Sequence, residues 1–238
     1  MNFPKLSYCI PLYNEENYLL SALKRVTTGL EKTVGHNKFE IILVDNGSRD
    51  KTPYIINKLK GKHIKAFSIK KRGIGAAYRL AIKNAKYDHI VLSAIDLPFG
   101  FTDLNNAHKF WNKHDIIFGS KAHPDSKIYV SLNRRISSII YRFLLNIFFN
   151  LKIKDPQGSI FLKRSKIMKI LNKCDSDNAF FTSQLAIYGT IYNLKMIGVG
   201  VIMSKKYNRK SKFSLLKDGS AMFISIIREY AKIKKLKS

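Results

Sequence analysis

The chain has 238 residues, 45% of them hydrophobic and 12% aromatic, and sets 43 Lys and Arg against 16 Asp and Glu, a formal net charge of +27. That apolar fraction can bury a sizeable core, which excludes a disordered chain, and the length suits one α/β domain with a small appendage. The charge implies a polyanionic partner: nucleic acid, acidic lipid headgroups or a phosphorylated small molecule. Cys9 and Cys174 form no CxxC pair, so neither a disulfide framework nor a zinc site is expected, and a reducing compartment is. The start MNFPKLSYCIPLY lacks an apolar segment of signal-peptide length, so no export signal is expected. Residues 136–149 are the longest apolar stretch, but Ser137, Ser138, Arg142 and Asn146 interrupt it, and it is too short and polar to span a bilayer.

Residues 6–12 read as a short buried strand that ends at Tyr13-Asn14-Glu15-Glu16, with a helix to about Leu30. A second strand, 39–44, ends in the turn Asp45-Asn46-Gly47-Ser48, and a helix follows over 52–59. A third strand, 64–69, runs into the basic turn Lys70-Lys71-Arg72-Gly73 and a helix over 74–85 with Ala76, Ala77, Leu80 and Ala81 on one face. The fourth strand, 89–94, leads to Asp96-Leu97-Pro98, and the alternation continues through Phe118. Strand–helix alternation with short loops predicts a parallel, doubly wound sheet, whose ligands bind at the carboxyl ends of the strands. Glu15, Asp45 and Asp96 all fall at that edge.

The second half is less regular. A helix over 134–151 puts Ile136, Ile139, Ile140, Phe143, Ile147 and Phe148 on one face, widened by Tyr141, Leu145 and Phe149. A turn at 155–158, a strand over 159–162, a helix over 178–192 and a strand over 196–203 follow. From Ser204 the chain is basic, with a helix around 224–227 that ends in a lysine-rich run. The predicted organisation is one domain over 1–215 and a basic amphipathic helix or tail over 216–238.

Two motifs carry a bland reading beside a chemical one. An Asp after a strand often starts a turn or caps the next helix, which alone would account for Asp96. The run Arg72-Gly73-Ile74-Gly75-Ala76-Ala77-Tyr78 looks like a dinucleotide loop, with Asp96 about twenty residues on. Tyr78, however, stands where close packing wants Gly or Ala, and the unit is third in the chain, which argues against a nicotinamide cofactor.

Taken together, IPLYNEE (10–16), LVDNGSRDKT (43–52), GIGAA (73–77) and AID (94–96) resemble, in order and spacing, family 2 glycosyltransferases with the GT-A fold. GSK (119–121), RRISS (134–138), DPQGSIFLKR (155–164) and RKSK (209–212) resemble the dolichyl-phosphate mannosyltransferase branch, which also holds polyprenyl-phosphate glucosyl- and aminoarabinosyltransferases. The resemblance covers residues 5 to about 215. It implies a Rossmann-like, mostly parallel sheet flanked by helices, with amphipathic helices at a membrane interface. It places donor binding on Pro11, Tyr13, Glu15, Asp45 and Arg72. Acceptor-phosphate binding falls on Lys121, Arg134, Ser138, Arg209 and Lys212, with Lys206 an alternative for the last arginine; Asp155, Gln157 and Gln184 are further candidates. The family's Asp-x-Asp turn holds the divalent ion that bridges the diphosphate. Here Ala94 replaces the first Asp and Pro98 stands where a third ligand is common, so Asp96 is the expected catalytic and metal-holding carboxylate for Mg²⁺ or Mn²⁺.

The chemistry suits that assignment. A leaving nucleoside diphosphate gains negative charge, which a divalent cation or Lys and Arg side chains offset. A lipid phosphate is already anionic and needs placement more than a strong base. The implied reaction is inverting transfer of one sugar from a nucleotide-diphosphate sugar to a polyprenyl phosphate. The chain would work in the cytoplasm, held peripherally on an acidic membrane surface without a transmembrane helix. Three other readings stay open: a family 2 enzyme with a glycan or other hydroxyl acceptor, a degenerate non-catalytic relative, and a basic nucleic-acid-binding protein. No recognition-helix or RNA-sheet motif supports the last, and no nucleic-acid partner is expected. For the core-facing alternative to the interfacial helix, the 134–151 segment would bury its whole apolar face.

Overall fold

The strands are β1 (Leu6–Leu12), β2 (Phe39–Asn46), β3 (Ile64–Ile69), β4 (His89–Leu92), β5 (Ile116–Ser120), β6 (Ile160–Lys163) and β7 (Met196–Gly200). They form one sheet in the order β3-β2-β1-β4-β6-β5-β7. This arrangement comes from a computed structural model that describes residues 2–151, 153–204, 214 and 217–235. β6 runs antiparallel to β4 and β5, while the other pairings are parallel. The sheet is therefore mixed where the alternation predicted a parallel one. The helices are α1 (Leu19–Thr33), α2 (Thr52–Lys58), α3 (Ile74–Asn84), α4 (Thr102–His108), α5 (Leu132–Phe149), α6 (Arg164–Ile167), α7 (Phe181–Ile191) and α8 (Lys217–Lys235).

β2 shows why the sheet is covered on both sides. Successive side chains of a strand point to opposite faces. Ile42 and Val44 join one core with Ala77 and Tyr78 of α3 and Leu185 of α7, whereas Ile41 and Leu43 join the other with Leu19 and Val26 of α1. Every residue of β2 is buried, the burial expected of a strand with helices on both faces. α1 supplies its share through Leu19, Ala22, Leu23, Val26 and Leu30, spaced at three and four residues.

α5 behaves differently. Leu145 is its one buried residue, while Leu132, Ile136, Ile139, Ile140, Phe143 and Ile147 are 46–69% exposed. Tyr141, Leu144, Phe148 and Phe149 pack partly on the core. The apolar face predicted for this segment is thus split: one stripe holds the helix to the domain and the other faces out, so the core-facing alternative does not hold. α8 packs beside it, with Met222 and Ile226 buried and Tyr230 set 5.1 Å from Phe148 and 6.3 Å from Phe149, ring centre to ring centre. No helix among the described residues is long and apolar enough to cross a membrane.

Several predicted boundaries shift. β4 stops at Leu92 and β7 at Gly200, and α7 begins only at Phe181. Of the residues released, Ser93, Ala94, Met203 and residues 178–180 line the clefts described below.

Asp103, in the first turn of α4, is buried, and its Oδ1 accepts the Leu104 N–H at 2.7 Å. Burial pushes this carboxyl up from 3.8 to about 6. The folded protein then holds that proton more tightly than the unfolded chain, so this group's contribution to stability falls as pH rises from about 4 to 6. A shift of that size is worth up to about 3 kcal/mol. Asp103→Asn should therefore be more stable than the parent at pH 7.5 in urea melts and should gain nothing at pH 4. A parent at least as stable as the variant at pH 7.5 would mean that the carboxylate is compensated.

Candidate active site

A cleft of about 1420 Å³ opens at the carboxyl ends of β1, β2, β3 and β4. Pro11, Tyr13 and Glu15 line it from the end of β1, Asn46–Arg49 from the turn after β2, Lys70–Gly73 after β3, and Ala94–Asp96 after β4.

The first two of these loops are stitched together. The N–H groups of Asn14, Glu15 and Glu16 donate to Ser48 Oγ (2.8 Å), Thr52 Oγ1 (2.7 Å) and Asp50 Oδ2 (3.0 Å). In return the N–H groups of Arg49 and Lys51 donate to Asn14 Oδ1 and Glu16 Oε2, each at 2.9 Å. Asn14 reaches this geometry with a positive φ of 52°, which Asn tolerates better than most residues. Much of NEE and NGSRDKT is therefore explained by the backbone groups that two adjoining loops must satisfy. Desolvation opposes ionisation of Asp50, but the Thr52 hydroxyl and the N–H groups of Glu16 and Thr52 hold its carboxyl below the ordinary value.

Asp45 is placed differently from the other predicted donor residues. It is buried at the end of β2, its Oδ1 accepts the Ser48 N–H at 3.2 Å, and it is not among the residues that line the cleft. Tyr13 and Arg72 do meet: the guanidinium lies 4.5 Å from the ring centre, a cation–π contact that joins the ends of β1 and β3.

The glycines after β3 serve packing. Gly73 N–H donates to Asn46 Oδ1 at 2.6 Å and Gly75 N–H to Asp177 O at 2.8 Å. A Cβ on Gly75 would sit 2.2 Å from Ser176 O and 2.7 Å from Asn178 O. The glycine-rich run lets α3 press against the 176–178 backbone, and the resemblance to a dinucleotide loop ends there. Tyr78, the residue out of pattern, instead donates its hydroxyl to Ser93 O at 3.3 Å. Tyr8 donates to Ser93 Oγ at 2.8 Å. Burial above all raises the pKa of both phenols, with Asp96 adding to it, so they stay neutral donors. One comes from each face of the sheet, and together they hold the residue that precedes the Ala94–Asp96 turn.

The far wall comes from residues 175–180, α7 and α8. Gln184 Oε1 accepts the Ser176 N–H at 2.8 Å, and its Nε2 donates to Asp175 Oδ1 at 2.8 Å and Glu229 Oε2 at 2.6 Å. Tyr188 Oη donates to Glu229 Oε1, and Lys232 pairs with Asp175 at 2.8 Å. Gln184 thus acts as a clasp between α7 and α8. Glu229 was not predicted; the one mark the sequence gives it is that it and Asp218 are the sole acids after Ser204, which does not report its pairing with Gln184.

A second cleft of about 830 Å³ shares Ile74, Ala94, Asn178, Ala179 and Met222 with the first. Lys121, Arg134, Arg135, Ser138, Arg142 and Gln157 line it, and its described lining contains no Asp, Glu, His or Cys. Asp155 is buried behind it and accepts N–H bonds from Lys121 at 2.9 Å and Gln157 at 3.2 Å, tying the loop after β5 to the loop before β6. Gly158 is needed there, since a Cβ would lie 1.7 Å from Gly119 O. Lys206, Arg209 and Lys212 lie outside the described residues.

Residues 7–171 match the profile of the family described as Glycosyl transferase family 2. The chain belongs to that family. A Drosophila melanogaster dolichyl-phosphate beta-glucosyltransferase is 27% identical to this chain over 215 residues, 83% of this chain and 66% of that protein. The chain spans still less, 49%, of the corresponding Homo sapiens protein, at 27% identity over 61% of this chain. Among solved structures, glucosyl-3-phosphoglycerate synthase from Mycobacterium tuberculosis, in complex with phosphoglyceric acid, superposes with a TM-score of 0.64 at 16% identity, covering 96% of this chain and 79% of that one. A Pyrobaculum calidifontis mannosyltransferase in complex with GDP-Man and Mn²⁺ gives 0.53 at 15% identity, covering 86% and 58%. The sheet and its flanking helices are the GT-A fold. Enzymes of this fold commonly use divalent metal ions.

Gly75→Ala tests how the chain builds this cleft. Overpacking against backbone costs about 1–3 kcal/mol, so the melting temperature should fall by about 3–10 °C. An unchanged melt would show that the 176–178 segment yields freely and does not brace the cleft.

Proposed function

We propose that this glycosyltransferase moves one sugar, with inversion, from a nucleotide-diphosphate sugar to a polyprenyl phosphate at the cytoplasmic face of a membrane. The observation that carries the acceptor class is the lining of the second cleft: four cations and, among the described residues, no carboxylate, imidazole or thiol. A hydroxyl acceptor must lose a proton as it attacks, which calls for a base within reach. A phosphate monoester is largely dianionic at neutral pH, its second pKa being about 6, and needs only charge compensation and alignment. Its oxygen forms the new bond to the anomeric carbon as the bond to the diphosphate breaks, and the nucleoside diphosphate leaves with that electron pair.

The roles follow from position. Pro11, Tyr13, Glu15 and Arg72 line the first cleft and hold the nucleotide; Asp45 supports the turn beside them and is a further candidate for the base or ribose. Asp96 lines the same cleft, and no group of three acidic, His or Cys side chains suited to a metal occurs among the described residues. One carboxylate still fits Mg²⁺ or Mn²⁺, since Mg²⁺ takes one or two carboxylates and fills its shell with substrate phosphate and water. That ion would act as a Lewis acid toward the leaving diphosphate, and Lys70, Lys71 and Arg72 would share its charge. Lys121, Arg134 and Ser138 receive the acceptor phosphate, with Arg209 and Lys212 as further candidates from the resemblance. Gln157 lines that cleft and Asp155 positions it. The name of the Drosophila relative supports a polyprenyl-phosphate acceptor, and the exposed stripe of α5 supports attachment to acidic lipid.

Two substitutions test the assignment with UDP-glucose and GDP-mannose as donors. Arg134→Gln should raise KM for a polyprenyl phosphate tenfold or more, since a hydrogen bond to a charged group is worth about 1.5–3 kcal/mol, while leaving donor affinity alone. Asp96→Asn should remove most transfer at any metal concentration and leave the melting temperature unchanged. An unaltered KM in the first would take the acceptor phosphate out of this cleft, and full activity in the second would return Asp96 to a turn residue.

A further inference from the structure

α8 has two faces with different surroundings. Met222, Ser225, Glu229 and Lys232, at spacings of three and four, line the donor cleft. This face is fastened by the clasp through Gln184 and Tyr188 and by Asn178 Nδ2, which donates to Ser225 Oγ at 3.0 Å. On the other face Phe223, Ile224, Ile227 and Tyr230 are 40–48% exposed. The fastening combines the buried side chains of Met222 and Ile226, the buried bonds of Glu229 and a Lys232–Asp175 pair at the surface, where ion pairs contribute little.

The outer face continues the exposed stripe of α5. Tyr230 packs against Phe148 and Phe149 and so joins the two helices. Ile139 belongs both to the exposed stripe of α5 and to the acceptor cleft. α5 contains no acid and carries Arg134, Arg135 and Arg142. The two acids of α8, Asp218 and Glu229, both line the donor cleft. The outward apolar surface is therefore aliphatic and aromatic, flanked by cations and free of carboxylates among its described residues. That composition fits acidic headgroups over hydrocarbon.

We propose that α8 lies with its outer face on an anionic lipid bilayer and its inner face against the donor, so that membrane attachment tightens donor binding. This rests on the lipid-acceptor reading above and adds a coupling between two sites. Ordering α8 on lipid removes motion that would otherwise loosen the cleft wall, and a donor bound to an already ordered wall loses less entropy. Such coupling is reciprocal, so the donor must tighten lipid binding by the same factor.

The test uses the full chain with vesicles of phosphatidylcholine, alone or mixed with phosphatidylglycerol, and with UDP-glucose and GDP-mannose as probes. Hydrogen exchange is followed in α8 and in residues 175–184. On mixed vesicles, exchange in both segments should slow, and Kd for the tighter-binding donor should fall about fivefold or more, the lower end of measured couplings. Phe223→Ser combined with Ile227→Ser leaves the clasp and α5 intact, so vesicle binding should persist while both effects disappear. Vesicle binding with unchanged α8 exchange, or with unchanged donor Kd, overturns the coupling and leaves the acceptor assignment standing. No binding to mixed vesicles removes the membrane part of the functional reading and this inference with it. Slow α8 exchange that depends on protein concentration, without vesicles, would show a second copy of the chain on this face and overturn the lipid assignment.

Discussion

Ser93 is the residue on which the two clefts depend. It follows β4 directly, and two phenols hold it, one from each face of the sheet: Tyr8 of β1 on its hydroxyl and Tyr78 of α3 on its carbonyl. Both bonds are buried, and a buried hydrogen bond is costly to leave half-made. The next residue, Ala94, lines both clefts, and Asp96 lines the larger one. A shift of this turn would separate the place where a donor diphosphate could lie from the place where an acceptor phosphate could approach. Transfer between two substrates requires that their reacting atoms be held at near contact, and the shared wall at Ala94 is where this fold meets that requirement.

The charge of the chain becomes intelligible at the same place. The first cleft mixes acids with cations, and several of its acids are already committed: Glu229 to Gln184 and Tyr188, Asp175 to Lys232, Asp177 to Arg79. The second cleft has cations alone among its described charged lining. Two adjoining sites thus differ in electrostatic character. One can hold a cation together with a diphosphate through Asp96, and the other favours an anion outright.

The sheet edge was legible because it follows from short-range rules. Strand–helix alternation placed Glu15, Asp45 and Asp96 at one rim, and the resemblance named the residues between them; Pro11, Tyr13, Glu15, Arg72 and Asp96 do line one cleft. Asp45 was expected on that wall and lies behind it, because its carboxylate bonds the Ser48 N–H. The direction of β6 was not legible, since a four-residue apolar strand carries no mark of its polarity. The α8 wall was not either: Glu229 reaches Gln184 across 45 positions of sequence, and no local periodicity reports such a pairing. The glycines at 73 and 75 looked like a dinucleotide loop, against which Tyr78 already argued, and they serve a backbone contact with 176–178, because the same demand for close approach underlies both uses. Tyr78 looked like a defect in that motif and instead holds the Ser93 carbonyl.

The central claim is that the second cleft takes an acceptor that arrives already charged. It is tested most directly by offering a polyprenyl phosphate and the free polyprenol of the same chain length, with one labelled nucleotide sugar, across a range of pH. The account predicts transfer to the phosphate alone, with inverted anomeric configuration and a rate that rises through the second ionisation of the phosphate near about pH 6. Equal transfer to the free alcohol, or transfer to the alcohol only, would contradict it.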